Sequence, residues 1–394
     1  MIHIPQPAAS GPPRGVAGGS EPGFDRVRRE EELVEQVARR VTIADVAERA
    51  GVSKTAVSFA FNNPERLNTA TASRILEIAH ELGYRPDPVA RMLTQRRTGS
   101  IGVLTPQDLS VIFTNPFFGA FSAGIAAVAE ERGYGLHFIS PLHGSLSRAI
   151  HRATVDGVVA IGLTDDQPEI DEIRRAGLPM VLVDSATSGP STSVDVDDEG
   201  GARQAAAHLI ELGHRDVAVL AIDGPRAAGS GGHGVVERRL RGYSETLAEA
   251  GIDLPADSIA VGSASIDGGF EAFNRLWDLG GRPTAVLAMS DAMAIGAIRA
   301  IHQRGQSVPG EISVVGFDDV DLAASTDPPL TTVHQPVKGK GDAAVRLLLS
   351  VMEGAHAAPV HRRLETRLVI RSSTGPRSRD QGRQEVTAGR PKSA

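Results

Sequence analysis

The sequence contains no cysteine. Disulfides and thiolate metal sites are therefore excluded, and a reducing compartment fits the composition. Aromatic residues are scarce, at 4% of the chain with a single tryptophan. No apolar run approaches the roughly 18–20 residues that a membrane-spanning helix needs. The start, Met1-Ile2-His3-Ile4-Pro5, has neither the charged beginning nor the apolar core of a secretory signal. No nucleophile-elbow motif, phosphate-loop lysine or zinc signature occurs. These absences point away from membrane, secreted and common hydrolase classes, and toward a soluble cytoplasmic protein.

What is present is a globular composition. The 394 residues are 41% hydrophobic and 23% charged, enough for two or three cores at about 100–200 residues each. The net charge of −7 is unevenly spread. Residues 41–100 carry eight Lys/Arg and six Asp/Glu, or +2, while residues 1–40 hold six of each. The remaining 294 residues therefore carry −9. A mildly basic head on an acidic body suits local contact with a polyanion and discourages sticking elsewhere.

Residues 1–24 are rich in Pro, Gly, Ala and Ser and predict disorder, and 25–40 could form a charged helix. Residues 41–83 read as three short helices, followed by a brief helical segment over 88–95 and a Thr98-Gly99-Ser100 linker. From Ile101 the pattern changes. Apolar strand-like runs at 101–104, 135–139, 157–161, 180–183, 194–196, 217–222, 285–289 and 313–317 alternate with amphipathic helices, such as 118–132, 200–212, 238–250 and 291–304. Apolar runs followed by helices predict parallel strands covered on both faces. That length is too great for one such sheet, so two Rossmann-like lobes with a cleft between them are expected. Residues 375–394 read as a polar, disordered tail.

The most specific motif runs from Val41 to Asn62, VTIADVAERAGVSKTAVSFAFN. Thr42 is placed to cap a helix that buries Ile43, Val46 and Ala47. Gly51 can adopt the positive φ that ends it, and Ser53 caps a second helix. Ala56, Val57 and Ala60 let the two cross closely, which is helix-turn-helix geometry. Lys54, Thr55, Ser58 and Phe59 are left on the outer face, at the end that enters a major groove. Arg74, Ile75, Ile78, Ala79 and Leu82 set a third helix behind the pair.

Residues 41–97 resemble the head of the lac repressor (LacI/GalR) family, including Gly83-Tyr84-Arg85-Pro86 and Val89-Ala90-Arg91-Met92-Leu93. The resemblance implies a hinge helix after the Tyr-x-Pro turn, with Ala90 and Leu93 in the minor groove and Leu93 as the wedge between base steps. It also implies that Lys54, Thr55 and Ser58 read base edges or phosphates. Thr42, Ser53, Asn62, Arg66, Asn68 and Thr71 would mostly grip the DNA backbone. Phe59 stands where the family commonly has arginine. It cannot make a bidentate contact to guanine but can meet a thymine methyl.

The resemblance continues through 101–374, in Asn115-Pro-Phe-Phe118-Gly, Leu178-Pro-Met-Val-Leu-Val-Asp184, Val196-Asp-Asp198, Arg239-Leu-Arg-Gly-Tyr243, Ser290-Asp-Ala-Met and Val314-Val-Gly-Phe-Asp-Asp319. It implies a body of periplasmic-binding-protein type whose chain crosses between lobes three times, near Val196-Asp197, Asp291 and Val333–Val337. A polyol site needs carboxylates and a guanidinium for paired bonds to hydroxyls, plus an aromatic face. Phe118, Arg239, Asp291 and Asp318 are the candidates, with Phe117 an alternative to Phe118.

Other signals carry less. Gly229-Ser-Gly-Gly-His-Gly234 matches G-x-G-x-x-G, but the following helix starts late. Asp197-Asp198 and Asp318-Asp319 are neighbours that point apart and cannot form an acid/base couple without a turn. His208 and His214 are spaced wrongly for a metal site and read as hydrogen-bonding residues near helix ends. The resulting expectation has four segments: a helix-turn-helix domain over 41–87, a hinge and linker over 88–100, a two-lobed effector and dimerisation domain over 101–374, and flanking disorder. Its function would be that of a homodimeric repressor with no enzymatic activity, cofactor or metal. It would bind a pseudo-palindromic DNA duplex under control of a sugar or related small molecule. The rival reading is a sugar-binding or enzymatic module whose head serves another interaction.

Overall fold

A computed structural model describes residues 41–87, Met92, 97–185, 189–223 and 234–377. The expectations for residues 1–40, for the hinge with Ala90 and Leu93, and for most of the G-x-G-x-x-G stretch lie outside these residues. The chain divides into two compact units, one ending at Arg96 and one beginning at Arg97.

The first unit holds α1 (Ile43–Ala50), α2 (Lys54–Asn62) and α3 (Thr69–Glu81), with a 3-10 turn over Pro64–Arg66. Local chemistry fixes each boundary. The Asp45 carboxylate accepts both the backbone N–H and the hydroxyl of Thr42 at 2.7 Å, closing the first turn of α1. Gly51, at φ 63°, takes the left-handed position that ends α1. Ser53 Oγ then accepts from Ala56 N at 3.1 Å and starts α2. Val46, Ala47, Val57, Ala60, Ile75 and Ala79 form the shared core. Their small side chains are what allow the three helices to approach.

Among the described residues, the second unit contains two six-stranded sheets. In the first lobe, β1 (Ser100–Leu104), α4 (Leu109–Thr114), α5 (Pro116–Glu131), β2 (Gly135–Ile139), α6 (Leu146–Arg152), β3 (Gly157–Ile161), α7 (Pro168–Arg175), β4 (Met180–Val183) and β5 (Ser193–Val196) follow in order. The second lobe then runs through α8 (Asp198–Glu211), β6 (Val217–Ile222), α9 (Val235–Glu249), β7 (Ile259–Gly262), α10 (Ile266–Asp278), β8 (Ala285–Ala288), α11 (Asp291–Gln303), β9 (Ser313–Asp318) and β10 (Thr331–His334). The chain returns to the first lobe for α12 (Val337–Met352) and β11 (His361–Leu364), and ends in the second with β12 (Arg367–Val369).

Strand order is β11-β5-β4-β3-β1-β2 in the first lobe and β12-β10-β9-β8-β6-β7 in the second. All pairings are parallel except β10 with β12. Both faces of each sheet are covered, which is why the strands read as unbroken apolar runs. In the first lobe Phe121, Ile125, Val345 and Leu348 pack one face, and Leu146, Ile170 and Ile173 the other. In the second, Ala205, Leu209, Tyr243 and Leu247 oppose Phe273, Ala297 and Ile301.

The chain crosses between lobes three times, but one crossing is not where the sequence placed it. The first joins β5 to α8 and the second joins β10 to α12, as expected. The third is the Glu365-Thr366 link between β11 and β12, not Asp291. Asp291 opens α11 between β8 and β9, two neighbours in one sheet, so no crossing can occur there. Residues 375–377, expected to open a disordered tail, are held in place. Gly375 N donates to Ser313 Oγ at 3.1 Å and Arg377 N to Leu212 O at 2.9 Å, fixing both residues against the second lobe.

Candidate functional site

In the helical unit, Lys54 and Thr55 are exposed at the start of α2, and Ser58, Phe59 and Asn62 are half-buried along it. Asn62 Nδ2 donates to Ser58 O at 3.0 Å, which ties those two residues together. Phe59 and Phe61 have different fates. Phe61 joins the core, edge-on to Tyr84 at 5.7 Å. Phe59 is outside that core and meets the guanidinium of Arg66 at 5.3 Å from its ring centroid. This partner was not legible in the sequence, because Arg66 comes from the 3-10 turn beyond the helix.

Thr42, Ser53 and Asn68 each precede a helix, and Asn68 Oδ1 accepts from Ala70 N at 2.9 Å. Thr71 is half-buried in the first turn of α3. Three helix N-termini, with exposed caps and a lysine beside one of them, are the chemistry that receives phosphate oxygens.

In the larger unit a cavity of about 800 Å³ lies between the lobes. Phe117 and Phe118 line it from the first turn of α5, at 5.4 Å and nearly perpendicular, so both phenylalanines contribute to its wall. Asp184 closes the end of β4 at φ 59° and Asp318 the end of β9 at φ 128°, conformations that swing each carboxylate off its strand. Lys340, with no exposed surface, donates to Asp184 Oδ1 at 2.7 Å from beneath. Gln335 Nε2 donates to Asp318 Oδ1 at 2.6 Å. Burial pushes the Asp318 carboxyl up, against the opposing pull of Arg239.

Arg239 enters from the first turns of α9 and lines the cavity. Its Nε donates to Asp198 Oδ1 at 2.8 Å, its Nη1 donates to the Met289 carbonyl, and its Cζ lies 3.5 Å from the Phe317 ring centroid. The guanidinium is thereby held rigid at the cavity floor. Asn115 Nδ2 in the first lobe donates to Ala264 O in the second at 2.9 Å, so the lobes are clasped beside the cavity.

Three of the four candidates, Phe118, Arg239 and Asp318, therefore converge. Asp291 does not line the cavity. Its carboxylate accepts from the Thr332 hydroxyl and from Val320 N, the latter at 2.9 Å, so it braces the turn after β9 against β10. Its neighbour Ser290 lines the cavity instead, while also accepting from Met293 N at 3.2 Å. Asp184, Lys340 and Asp198 were missed. Asp184 obeys the rule that singled out Asp318, an acid at a strand's carboxyl end. Lys340 is visible only as a lysine inside the apolar stripe of α12.

The remaining polar residues have structural partners. Asp197 Oδ1 accepts from Gly200 N at 3.2 Å, whereas Asp198 holds arginines, so that adjacent pair diverges. Asp319 binds His334 at 2.9 Å and Arg371 at 2.6 Å, away from Asp318. His208 Nε2 meets Thr374 Oγ1 at 3.0 Å, and His214 lies 3.0 Å from both Thr284 and Ser313 hydroxyls. Burial lowers both histidine pKa values. Among the described residues no group of three potential ligands could hold a metal ion, and no helix is long and apolar enough to cross a membrane.

Comparison with known proteins is consistent along the chain. Residues 42–87 match the bacterial regulatory proteins of the lacI family, and 206–374 match a periplasmic binding protein-like domain. The HTH-type transcriptional regulator CelR of Thermobifida fusca is 34% identical over 342 residues, 85% of this chain and 98% of that protein. The transcriptional repressor CytR of Escherichia coli K12 is 33% identical over 339 residues, 84% of this chain and 96% of that protein. Among solved structures, a lac repressor dimer bound to operator and an anti-inducer superposes with TM-score 0.71 at 29% identity, covering 86% of this chain and 100% of that one. A CelR–cellobiose complex superposes with TM-score 0.62 at 32% identity, covering 85% and 100%.

Proposed function

The chain belongs to the lacI family of bacterial regulatory proteins, and on that footing we propose that it is a sequence-specific transcriptional repressor controlled by a sugar or related small polyol. The observation that carries the reading is the cavity between the lobes. It offers carboxylates at Asp184 and Asp318, a fixed guanidinium at Arg239 and an aromatic wall at Phe117 and Phe118. That is a donor and acceptor set for vicinal hydroxyls with a platform for ring carbons. Among the described lining residues the acidic side chains outnumber the basic ones and Arg239 already serves Asp198, which favours an uncharged ligand over a phosphorylated one.

Lys54, Thr55, Ser58 and Phe59 would enter the major groove, with Thr42, Ser53, Asn62, Arg66, Asn68 and Thr71 on phosphates. Ala90 and Leu93 would occupy the minor groove when two copies pair on a pseudo-palindrome. Ligand binding would change the relation of the two lobes and thereby operator affinity, and DNA must alter ligand affinity by the same factor. In this reading the protein acts in the cytoplasm and catalyses no reaction.

The test is selection of duplexes from a random-sequence pool by the purified full-length protein at near-physiological salt. Recovery of a near-palindrome, with half-sites about one helical turn apart and a flexible central pyrimidine–purine step, is the expected result. No enrichment, alone or with a panel of neutral saccharides including cellobiose, would overturn it.

A further inference from the structure

Two adjacent arginines on α9 share one buried carboxylate. Asp198, fully buried, accepts at Oδ1 from Arg239 Nε at 2.8 Å. Its Oδ2 takes Arg238 Nη2 at 2.8 Å and Nε at 3.1 Å. The two guanidinium groups then diverge. Arg239 faces the cavity. Arg238 leaves its own lobe and donates through Nη1 to Ser185 O, just beyond β4 in the first lobe, at 2.8 Å. Its Nη2 also lies 3.9 Å from Asp195 Oδ1 on β5 of that lobe. Asp195 is 1% exposed, and neither of its oxygens has a hydrogen-bond partner among the described residues.

We propose that Arg238 is a positioning residue: it holds the first lobe against the second and, through the carboxylate it shares with Arg239, makes that hold depend on what occupies the cavity. A ligand that draws on the Arg239 guanidinium changes how Asp198 divides itself between two cations, and Arg238 is the one with a grip on the other lobe. Buried charge-assisted bonds of this kind have narrow geometric tolerance, so a small displacement at one arm is felt at the other. Among the described residues, the groups facing Arg238 include Asp198 from α8, Asp195 from β5 and the Ser185 carbonyl, with Asp184 beside Asp195. The clasp stands on geometry alone; its dependence on the occupant of the cavity rests on the function proposed above.

The absence of cysteine makes the clasp measurable. Arg148→Cys on α6 and Glu271→Cys on α10, both at exposed positions, place one spin label on each lobe of the full-length protein, and pulsed electron resonance reads the distance between them. The expected result is a single narrow distribution that broadens and moves to longer distance in Arg238→Met. Arg239→Met should shift it in the same direction, and the two substitutions together should do no more than the larger of them, because both act through Asp198. Arg238→Met with Asp195→Asn removes the carboxylate left behind and serves if the single variant folds poorly. An unchanged distribution in the folded variant overturns the clasp, and strictly additive shifts overturn the shared carboxylate. A wild-type protein that enriches no duplex but shows these shifts loses the DNA-binding reading and keeps the clasp.

Discussion

Replacing Asp195 with asparagine should stabilise the protein at pH 8 and matter much less at pH 5. Burial first, and the Asp184 carboxylate second, push the Asp195 pKa from 3.8 to about 7. In the unfolded chain the same group titrates near 3.9. Below about pH 4 both states carry the proton, and above about pH 7 neither does. Between those limits the folded protein holds a proton that the unfolded chain has released, so folding stability falls as pH rises through this window. At about 1.4 kcal/mol per pKa unit, the roughly three-unit gap sets an upper limit of about 4 kcal/mol at pH 8. Relief of half of it, on the order of 2 kcal/mol, corresponds to roughly 3–4 °C in Tm for a unit of this size. Calorimetric unfolding of wild type and Asp195→Asn at pH 5, 6.5 and 8 reads the effect. A gain that grows with pH supports the assignment. A variant less stable at pH 8 would show that the ionised carboxylate is needed by Arg238, and the reasoning would fail.

Four further substitutions follow from the geometry. A Cβ at Gly124 on α5 would strike the Lys338 carbonyl of α12, so Gly124→Ala should cost about 1–3 kcal/mol in thermal or urea unfolding; no loss would mean the two helices are less closely apposed. The Tyr243 hydroxyl is buried without a hydrogen-bond partner among the described residues, so Tyr243→Phe should leave unfolding unchanged or raise stability by up to about 1 kcal/mol; a clear loss would reveal a bond to that oxygen. Lys54→Ala should flatten the salt dependence of duplex binding or relax its sequence preference, and retention of both would move the reading face elsewhere. Leu93→Ala should weaken the complex with the selected duplex more than that with random DNA; equal losses would remove the wedge.

The parts of this molecule that were legible from sequence are those where one residue type answers one local need. Gly51 and Ser53 mark a turn and a cap two positions apart, and the structure uses them so. Unbroken runs such as Gly157–Ile161 and Val314–Phe317 became central parallel strands because helices cover both faces. Asp318 and Arg239 reach the cavity because strand ends and helix starts meet at a cleft. Asp291 was misread for the same reason: it too follows a strand, but Thr332 and Val320, far off in sequence, claim its oxygens. The third crossing was hidden because β11, His361-Arg-Arg-Leu, and β12, Arg367-Leu-Val, are short edge strands, the first with largely exposed side chains. Edge strands owe their form to backbone pairing with a neighbour, which leaves little trace in side-chain pattern. Lys340 and Asp198 were invisible as a class, since a buried charge is identified only by the partner that compensates it.

The interleaving of the lobes also bears on how the protein is made. Among the described residues, the core of the helical unit uses nothing beyond Tyr84. The first lobe, although it begins at Ser100, lacks α12 and β11 until residue 364 has emerged. Its Phe121 and Ile125 must wait for Val345 and Leu348 to cover them. The second lobe lies between those two halves in sequence and has its five parallel strands by residue 334. Vectorial synthesis therefore favours an order of helical unit, second lobe, first lobe. On the ribosome the three-helix core would mature well before the cavity between the lobes, and a chain cut short before α12 would carry the former without the latter.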